Sequence, residues 1–261
     1  MKKHNIIITI LSVILAIESV FLVYLFISGP KKTPPPAPVP AVIAGRIAIV
    51  LDDWGYNTHN LAMLSQIRYP LTVSVLPGLR YSAFLSRELN RRGFEVILHL
   101  PMEPHEAYRL EKNTILSSMD DAEARRILVI DLKSLSGVKG VSNHMGSRAT
   151  EDYRLMTEVF RELKRRHLYF LDSLVSSDSV CRRAASETGI SFASRDIFLD
   201  NEEDPGYIAA QLRQLANRAR LRGYAVGIGH DRKNTVKVLR EMMPQLAKEG
   251  FRFVFVSEVV R

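Results

Sequence analysis

The chain has 261 residues, 46% of them hydrophobic and 25% charged, and a formal net charge of +8 at pH 7. Its one cysteine, Cys181, excludes an internal disulfide, so the fold must stand without a covalent cross-link. Residues 1–45 hold four lysines and one glutamate and supply +3 of the charge. The remaining +5 is spread along predicted helices as solvated faces, and no nucleic-acid-binding motif accompanies it.

Residues 6–27 form a nearly continuous apolar stretch, broken by Thr9, Ser12, Glu18 and Ser19. About 20 such residues span a bilayer core. Lys2 and Lys3 precede the stretch and favour an amino terminus left in the cytoplasm. The length argues for an uncleaved anchor over a signal peptide, whose apolar core is shorter. Residues 1–28 are therefore read as a membrane anchor or signal segment. Residues 29–45, with Pro34-Pro35-Pro36, Pro38 and Pro40, read as an extended spacer. Residues 46–261 suit one α/β domain on the extracytoplasmic, periplasmic side, or secreted if the segment is cleaved.

Within that domain short apolar runs alternate with longer amphipathic segments. Strands are predicted near 47–51, 71–75, 95–98, 140–142, 169–171, 191–193, 225–228 and 252–256. Helices are predicted near 58–67, 81–92, 120–136, 151–166, 178–188, 204–222 and 233–249. Asp120-Asp121, Glu151-Asp152 and Asp204-Pro205 supply helix starts, and glycines such as Gly93 and Gly223 fall where helices should stop. The alternation predicts a mainly parallel sheet or compact barrel. The segment 101–119 has no periodicity and is read as a long loop over the site face.

Nearly every predicted strand ends in a polar residue able to bind a metal or move a proton. Asp52-Asp53 follow the first strand, and adjacent strand residues are expected to point in different directions. One carboxylate can then bind a cation while the other accepts a proton. His99 follows the third strand, with Glu103 and His105 on the same loop as candidate supporting partners. Asn143-His144 follow the fourth. Asp53, His99 and His144 together offer one oxygen and two nitrogens, the pattern of a catalytic metal site with open positions. His230, after Gly227-Ile228-Gly229, is a candidate proton donor to a leaving amine, and Asp172 a candidate to orient it. Asp200-Asn201 is the weaker alternative. Trp54 either lines a sugar pocket or caps the core. No nucleophile elbow or phosphate-binding glycine loop is present.

Five segments, Ile49-Val50-Leu51-Asp52-Asp53-Trp54-Gly55, Leu98-His99-Leu100-Pro101-Met102-Glu103, Asn143-His144-Met145-Gly146-Ser147, Phe170-Leu171-Asp172-Ser173 and Gly227-Ile228-Gly229-His230, resemble the divergent polysaccharide deacetylase family. The resemblance spans about residues 46–261. It implies a distorted (β/α)7-type barrel, Asp52 as catalytic base, Asp53 as a metal ligand and His230 as general acid. Two departures stand out. Ordinary polysaccharide deacetylases take both metal histidines from one H-x-x-x-H motif, whereas Glu103 stands four residues after His99, so the second histidine must be His144. Asp231 follows His230 where a proline is usual. The expected activity is metal-dependent hydrolysis, with zinc as the first choice of cofactor, removing acyl groups from an envelope polysaccharide or peptidoglycan. The rival reading is a non-catalytic glycan-binding module with a relic metal site.

Overall fold

The computed structural model describes residues 2–27 and 43–261. The chain divides into two compact units, Met1–Ala41 and Val42–Arg261. The first contains helix α1 (Lys2–Ile27). Among the described residues no helix is long and apolar enough to cross a membrane, so the spanning helix expected over residues 6–27 is not supported. Glu18 and Ser19 interrupt the apolar stretch on α1. The flanks Ile6–Ile10 and Tyr24–Ile27 lie outside the described side chains, and the Pro-rich spacer falls mostly outside the described residues.

The second unit is a parallel sheet wrapped by helices. In chain order it comprises β1 (Gly45–Trp54), α2 (Leu61–Leu64), β2 (Thr72–Val75), α3 (Ser82–Arg91), β3 (Glu95–Met102), α4 (Asp121–Ser134), β4 (Val138–Met145), α5 (Tyr153–Arg165), β5 (Tyr169–Asp172), α6 (Cys181–Thr188), β6 (Phe192–Ser194), β7 (Ile197–Phe198), α7 (Pro205–Arg222), β8 (Tyr224–His230), α8 (Lys233–Lys248) and β9 (Phe251–Val254). The helix starts read from sequence are real caps: Asp120, Asp152 and Asp204 each accept a hydrogen bond from the backbone N–H three residues on. Strand order is β6-β5-β4-β3-β2-β1-β8-β7, with β9 added to the start of β1. All these pairings are parallel.

The two ends of that order, β6 and β7, are separated only by Arg195 and Asp196. The Arg195 N–H donates to Asp172 O of β5 and the Asp196 N–H to Val226 O of β8. One bent strand thus pairs with β5 through its first half and with β8 through its second. Counting it once, and setting aside β9, which pairs only with the start of β1, gives seven strands around an interior, in keeping with the (β/α)7 expectation.

Two cores follow from strand alternation. Ala48, Val50, Ile97, Leu171, Val226 and Ile228 fill the interior. Their neighbours Ile47, Ile49, Leu51, Val96, Leu98 and Phe170 face the helix layer, packing with Leu85, Leu128, Phe160 and Leu212. Trp54 is fully buried in this outer core, so it caps the core and does not line a pocket.

Candidate metal centre and active site

The same alternation decides which strand-end residues meet. Asp52 shares parity with Ala48 and Val50, so it points inward and is 2% exposed. Asp53 should point outward, but the ladder slips here. Leu51 pairs with Val73 and Trp54 with Val75, so three steps on β1 match two on β2. The extra residue forms a β-bulge, and Asp53 takes a left-handed φ of 67°. The bulge turns both carboxylates to one side, contrary to the divergent directions expected from a regular strand. His99 Nε2 lies 3.3 Å from Asp53 Oδ1 and 3.7 Å from Asp52 Oδ2.

β3 runs on through Met102, so His99 sits inside the strand with the parity of Ile97. Its Nδ1 is 2.8 Å from Ser142 Oγ, which lies 2.7 Å from Ser74 Oγ. This side-chain pair fixes the ring and leaves Nε2 for the carboxylates. Glu103 and His105 do not support His99. Glu103 Oε2 accepts from the N–H and hydroxyl of Ser117, and His105 Nε2 lies 2.8 Å from Glu151 Oε2. Both residues shape the loop that follows β3. His144, two residues beyond Ser142 on β4, places Nδ1 3.1 Å from Asp53 Oδ1. The two imidazoles meet edge to face, 5.0 Å between centroids. Asp53, His99 and His144 each offer a ligand atom within 4.8 Å of the others. Asn143, of opposite parity, turns away and accepts from the Ser173 N–H.

His230 ends β8 beside Asp52 in register. Its partner is Asp200, not Asp172. Asp200 Oδ1 is 2.7 Å from His230 Nδ1, and Oδ2 accepts from the His230 N–H and the Thr235 hydroxyl. Arg232 Nη1 donates to Asp200 O. A side chain at Gly229 would bring its Cβ to 2.8 Å from Thr235 Cγ2 and force Thr235, a partner of Asp200, to shift. Phe198 stacks on the imidazole at 5.9 Å and 21°. Asp172 has the parity of Phe170 and therefore faces the helix layer. There its oxygens accept from the Leu174 N–H and the Ser179 hydroxyl. The orienting role assigned to Asp172 is thus corrected: the strand carries it to the wrong side of the sheet. Asp200 shares parity with the inward Phe198, but β7 is two residues long and had no periodicity to reveal it. The clue available was the apolar run Ile197-Phe198-Leu199 ending in Asp, the pattern seen at the other strand ends.

Electrostatics separate these groups. Burial raises the Asp52 carboxyl above its ordinary value, and His99 opposes that rise only in part. Burial would raise Asp53 too, but His144 and His99 outweigh it and hold it well below the usual carboxylate range. Burial works against the His230 imidazolium, yet the Asp200 hydrogen bond prevails and raises its affinity for a proton. Burial also raises Asp231, which accepts from Asn60 Nδ2 at 2.8 Å. At the rim the Tyr56 hydroxyl donates to Glu111 Oε1, tying the loop after β3 to the loop after β1. Asp52 Oδ1 and His144 Nε2 are buried with no hydrogen-bond partner.

The sequence profile of the divergent polysaccharide deacetylases matches residues 49–260. The chain belongs to this family. It is 36% identical over 205 residues to the uncharacterized protein YibQ of Escherichia coli, covering 78% of this chain and 64% of that one. The chain thus spans less than two thirds of that relative's length. Among solved structures, an uncharacterized protein from Agrobacterium tumefaciens superposes with a TM-score of 0.80 at 22% identity, covering 85% of this chain and 92% of that one. The catalytic domain of a peptidoglycan N-acetylglucosamine deacetylase from Eubacterium rectale gives a TM-score of 0.51 at 14% identity, covering 87% of this chain and 93% of that one. These two likenesses establish the polysaccharide-deacetylase-like fold alone.

Proposed function

We propose that this chain is a metal-dependent hydrolase that removes N-acetyl or related acyl groups from an envelope polysaccharide. The observation that carries the reading is the convergence of Asp53, His99 and His144 beside Asp52 and the Asp200–His230 pair. The donor set fits a divalent cation: one carboxylate and two imidazoles suit zinc, and cobalt, nickel or manganese nearly as well. Asp53 Oδ1 lies 3.3 Å from His99 Nε2 and 3.1 Å from His144 Nδ1, so the three donor atoms face one another where a single cation can be shared.

Asp53, His99 and His144 would hold the cation, which would polarise the acyl carbonyl and make water easier to deprotonate. Asp52 takes the proton of the attacking water; its Oδ1 is committed to no other group. His230, with Nδ1 held by Asp200, gives a proton from Nε2 to the departing amine nitrogen. Asp200 keeps that ring charged to higher pH and fixes its orientation.

The test is elemental analysis and acetate release on N-acetylglucosamine oligomers and peptidoglycan. The wild-type protein should carry metal and release acetate, and Asp53→Ala should lose both together. If Asp53→Ala keeps both, the assignment is wrong. A metal-loaded wild type that binds peptidoglycan and releases no acyl group would favour the non-catalytic module.

A further inference from the structure

Two serines lie beneath the carboxylates and imidazoles of the centre. Ser74 on β2 and Ser142 on β4 are fully buried. Their neighbours Val73, Val75 and Val141 pack in the outer core, so strand alternation turns both hydroxyls into the barrel interior. There they meet across β3, 2.7 Å apart.

Each hydroxyl also faces one functional group. Ser142 pairs in register with His99, and its Oγ lies 2.8 Å from Nδ1 of that ring. Ser74 faces the bulge in β1. Leu51 pairs with Val73 and Trp54 with Val75, so Ser74 alone stands opposite Asp52 and Asp53. Its hydroxyl bears on the Asp52 carboxyl and opposes the rise that burial causes there. A file of polar groups thus runs from His99 through Ser142 and Ser74 to Asp52, one from each of four adjacent strands.

The protons give this file a direction. A neutral imidazole carries a proton on one nitrogen and accepts on the other. For Nε2 to face a cation, Nδ1 must hold the proton and donate to Ser142 Oγ. The Ser142 hydroxyl then donates to Ser74 Oγ, and the Ser74 hydroxyl is left to donate to Asp52. The reverse direction puts the proton on Nε2 and turns a Ser74 lone pair toward the carboxylate. A cation at one end and a carboxylate at the other therefore select the same arrangement, and bonds in such a chain strengthen one another. The other histidine lacks this support, since His144 Nε2 is buried without a partner.

We propose that Ser74 and Ser142 are positioning residues for the hydrolytic centre, a one-way donor chain that links the ligand His99 to the base Asp52. The inference rests on the metal-dependent reading and adds a coupling between its two halves. Removing either hydroxyl weakens the hold on the cation, although Ser74 makes no hydrogen bond to a ligand.

Zinc affinity of the full-length protein in neutral detergent, measured by competition with a chromogenic chelator, tests this. Ser142→Ala should bind zinc about tenfold more weakly, as expected when a group that orients a ligating histidine is removed. Ser74→Ala should lose about threefold by the same route. The double variant should lose no more than Ser142→Ala, because one break interrupts the whole chain, whereas independent contributions would multiply. Ser74→Thr keeps the hydroxyl on a strand that already seats Thr72 on the same face, and should bind like the wild type. Ser86→Ala, which removes an equally buried hydroxyl on α3, should do so too. If Ser142→Ala does not fold, Ser74→Ala against Ser74→Thr carries the comparison. Unchanged zinc affinity in either folded alanine variant, or multiplied losses in the double variant, would overturn the chain and leave intact a wild type that binds zinc and releases acetate. A wild type that binds no zinc would overturn the metal-dependent reading and the chain together.

Discussion

The two ends of the barrel interior both bury carboxylates, and they treat them in opposite ways. At the amino end, Glu95 Oε1 accepts from the Thr72 hydroxyl at 2.8 Å, the Tyr169 hydroxyl at 2.8 Å and the Ser257 N–H at 3.3 Å. The Val256 N–H then donates to Thr72 Oγ1, so the polar plug is closed. At the carboxyl end, Asp52 Oδ1 has no partner, Asp53 Oδ1 faces only the imidazoles of His99 and His144, and Asp53 holds a φ that side chains disfavour. A buried polar cluster stabilises a fold when its members satisfy each other. One left short of partners, on strained backbone, is suited to a ligand or a reaction. Barrel enzymes divide labour in this way, with stability at the amino face and chemistry at the carboxyl face.

The largest effect that would sharpen this contrast is Asp52→Asn. Turnover should fall by about a thousandfold, corresponding to about 4 kcal/mol of lost transition-state stabilisation. The melting temperature should not fall, since the change removes a buried charge whose Oδ1 has no hydrogen bond. Kinetics beside a thermal melt decide it, and a marked loss of stability would break the contrast.

Glu95→Ala should do the reverse. It strands the Thr72 and Tyr169 hydroxyls in the interior and should cost about 3 kcal/mol of stability, with turnover per folded molecule unchanged. Denaturant unfolding measures the first and active-site-normalised kinetics the second.

Asp200→Asn should lower turnover about tenfold, a moderate loss for a positioning group. It should also move the basic limb of the pH profile to lower pH. The sign follows from the folded state: Asp200 raises the His230 pKa above 6.5, so removing that charge lets the imidazolium lose its proton sooner. The same pair contributes stability that is fully present below the ordinary histidine pKa and is lost as pH rises through the raised one. A pH–rate profile for both proteins reads the shift. Asp172→Asn, on the helix-facing side, should change turnover by less than about threefold and leave the pH limb in place.

How much of this was legible in the sequence depends on which physical rule governs each residue. The helix caps at Asp120, Asp152 and Asp204 are local, and the residue types alone determine them. Asp53, His99 and His144 could be grouped because each closes an apolar run, and parallel strands bring such ends to one face. Asp172 closes such a run too, but side-chain parity sends it to the other side, and parity cannot be counted until the strand's first inward residue is known. The bulge at Asp53 left no decisive trace, because Asp tolerates a left-handed φ but adopts ordinary backbone far more often. Asp200 was undervalued because β7 is too short to show a period.

The route by which the two histidines would reach a cation has a consequence for maturation. An H-x-x-x-H pair can chelate a metal as soon as one turn of chain forms. Here β1, β3 and β4 contribute one donor each, and the β1 donor arrives only through a displaced residue in the ladder. An incompletely folded chain would therefore compete poorly for a divalent metal, and uptake would follow barrel assembly instead of nucleating it. Once loaded, the ion would clamp three strands together, so the gap between metal-free and metal-bound melting temperatures should widen with free metal concentration.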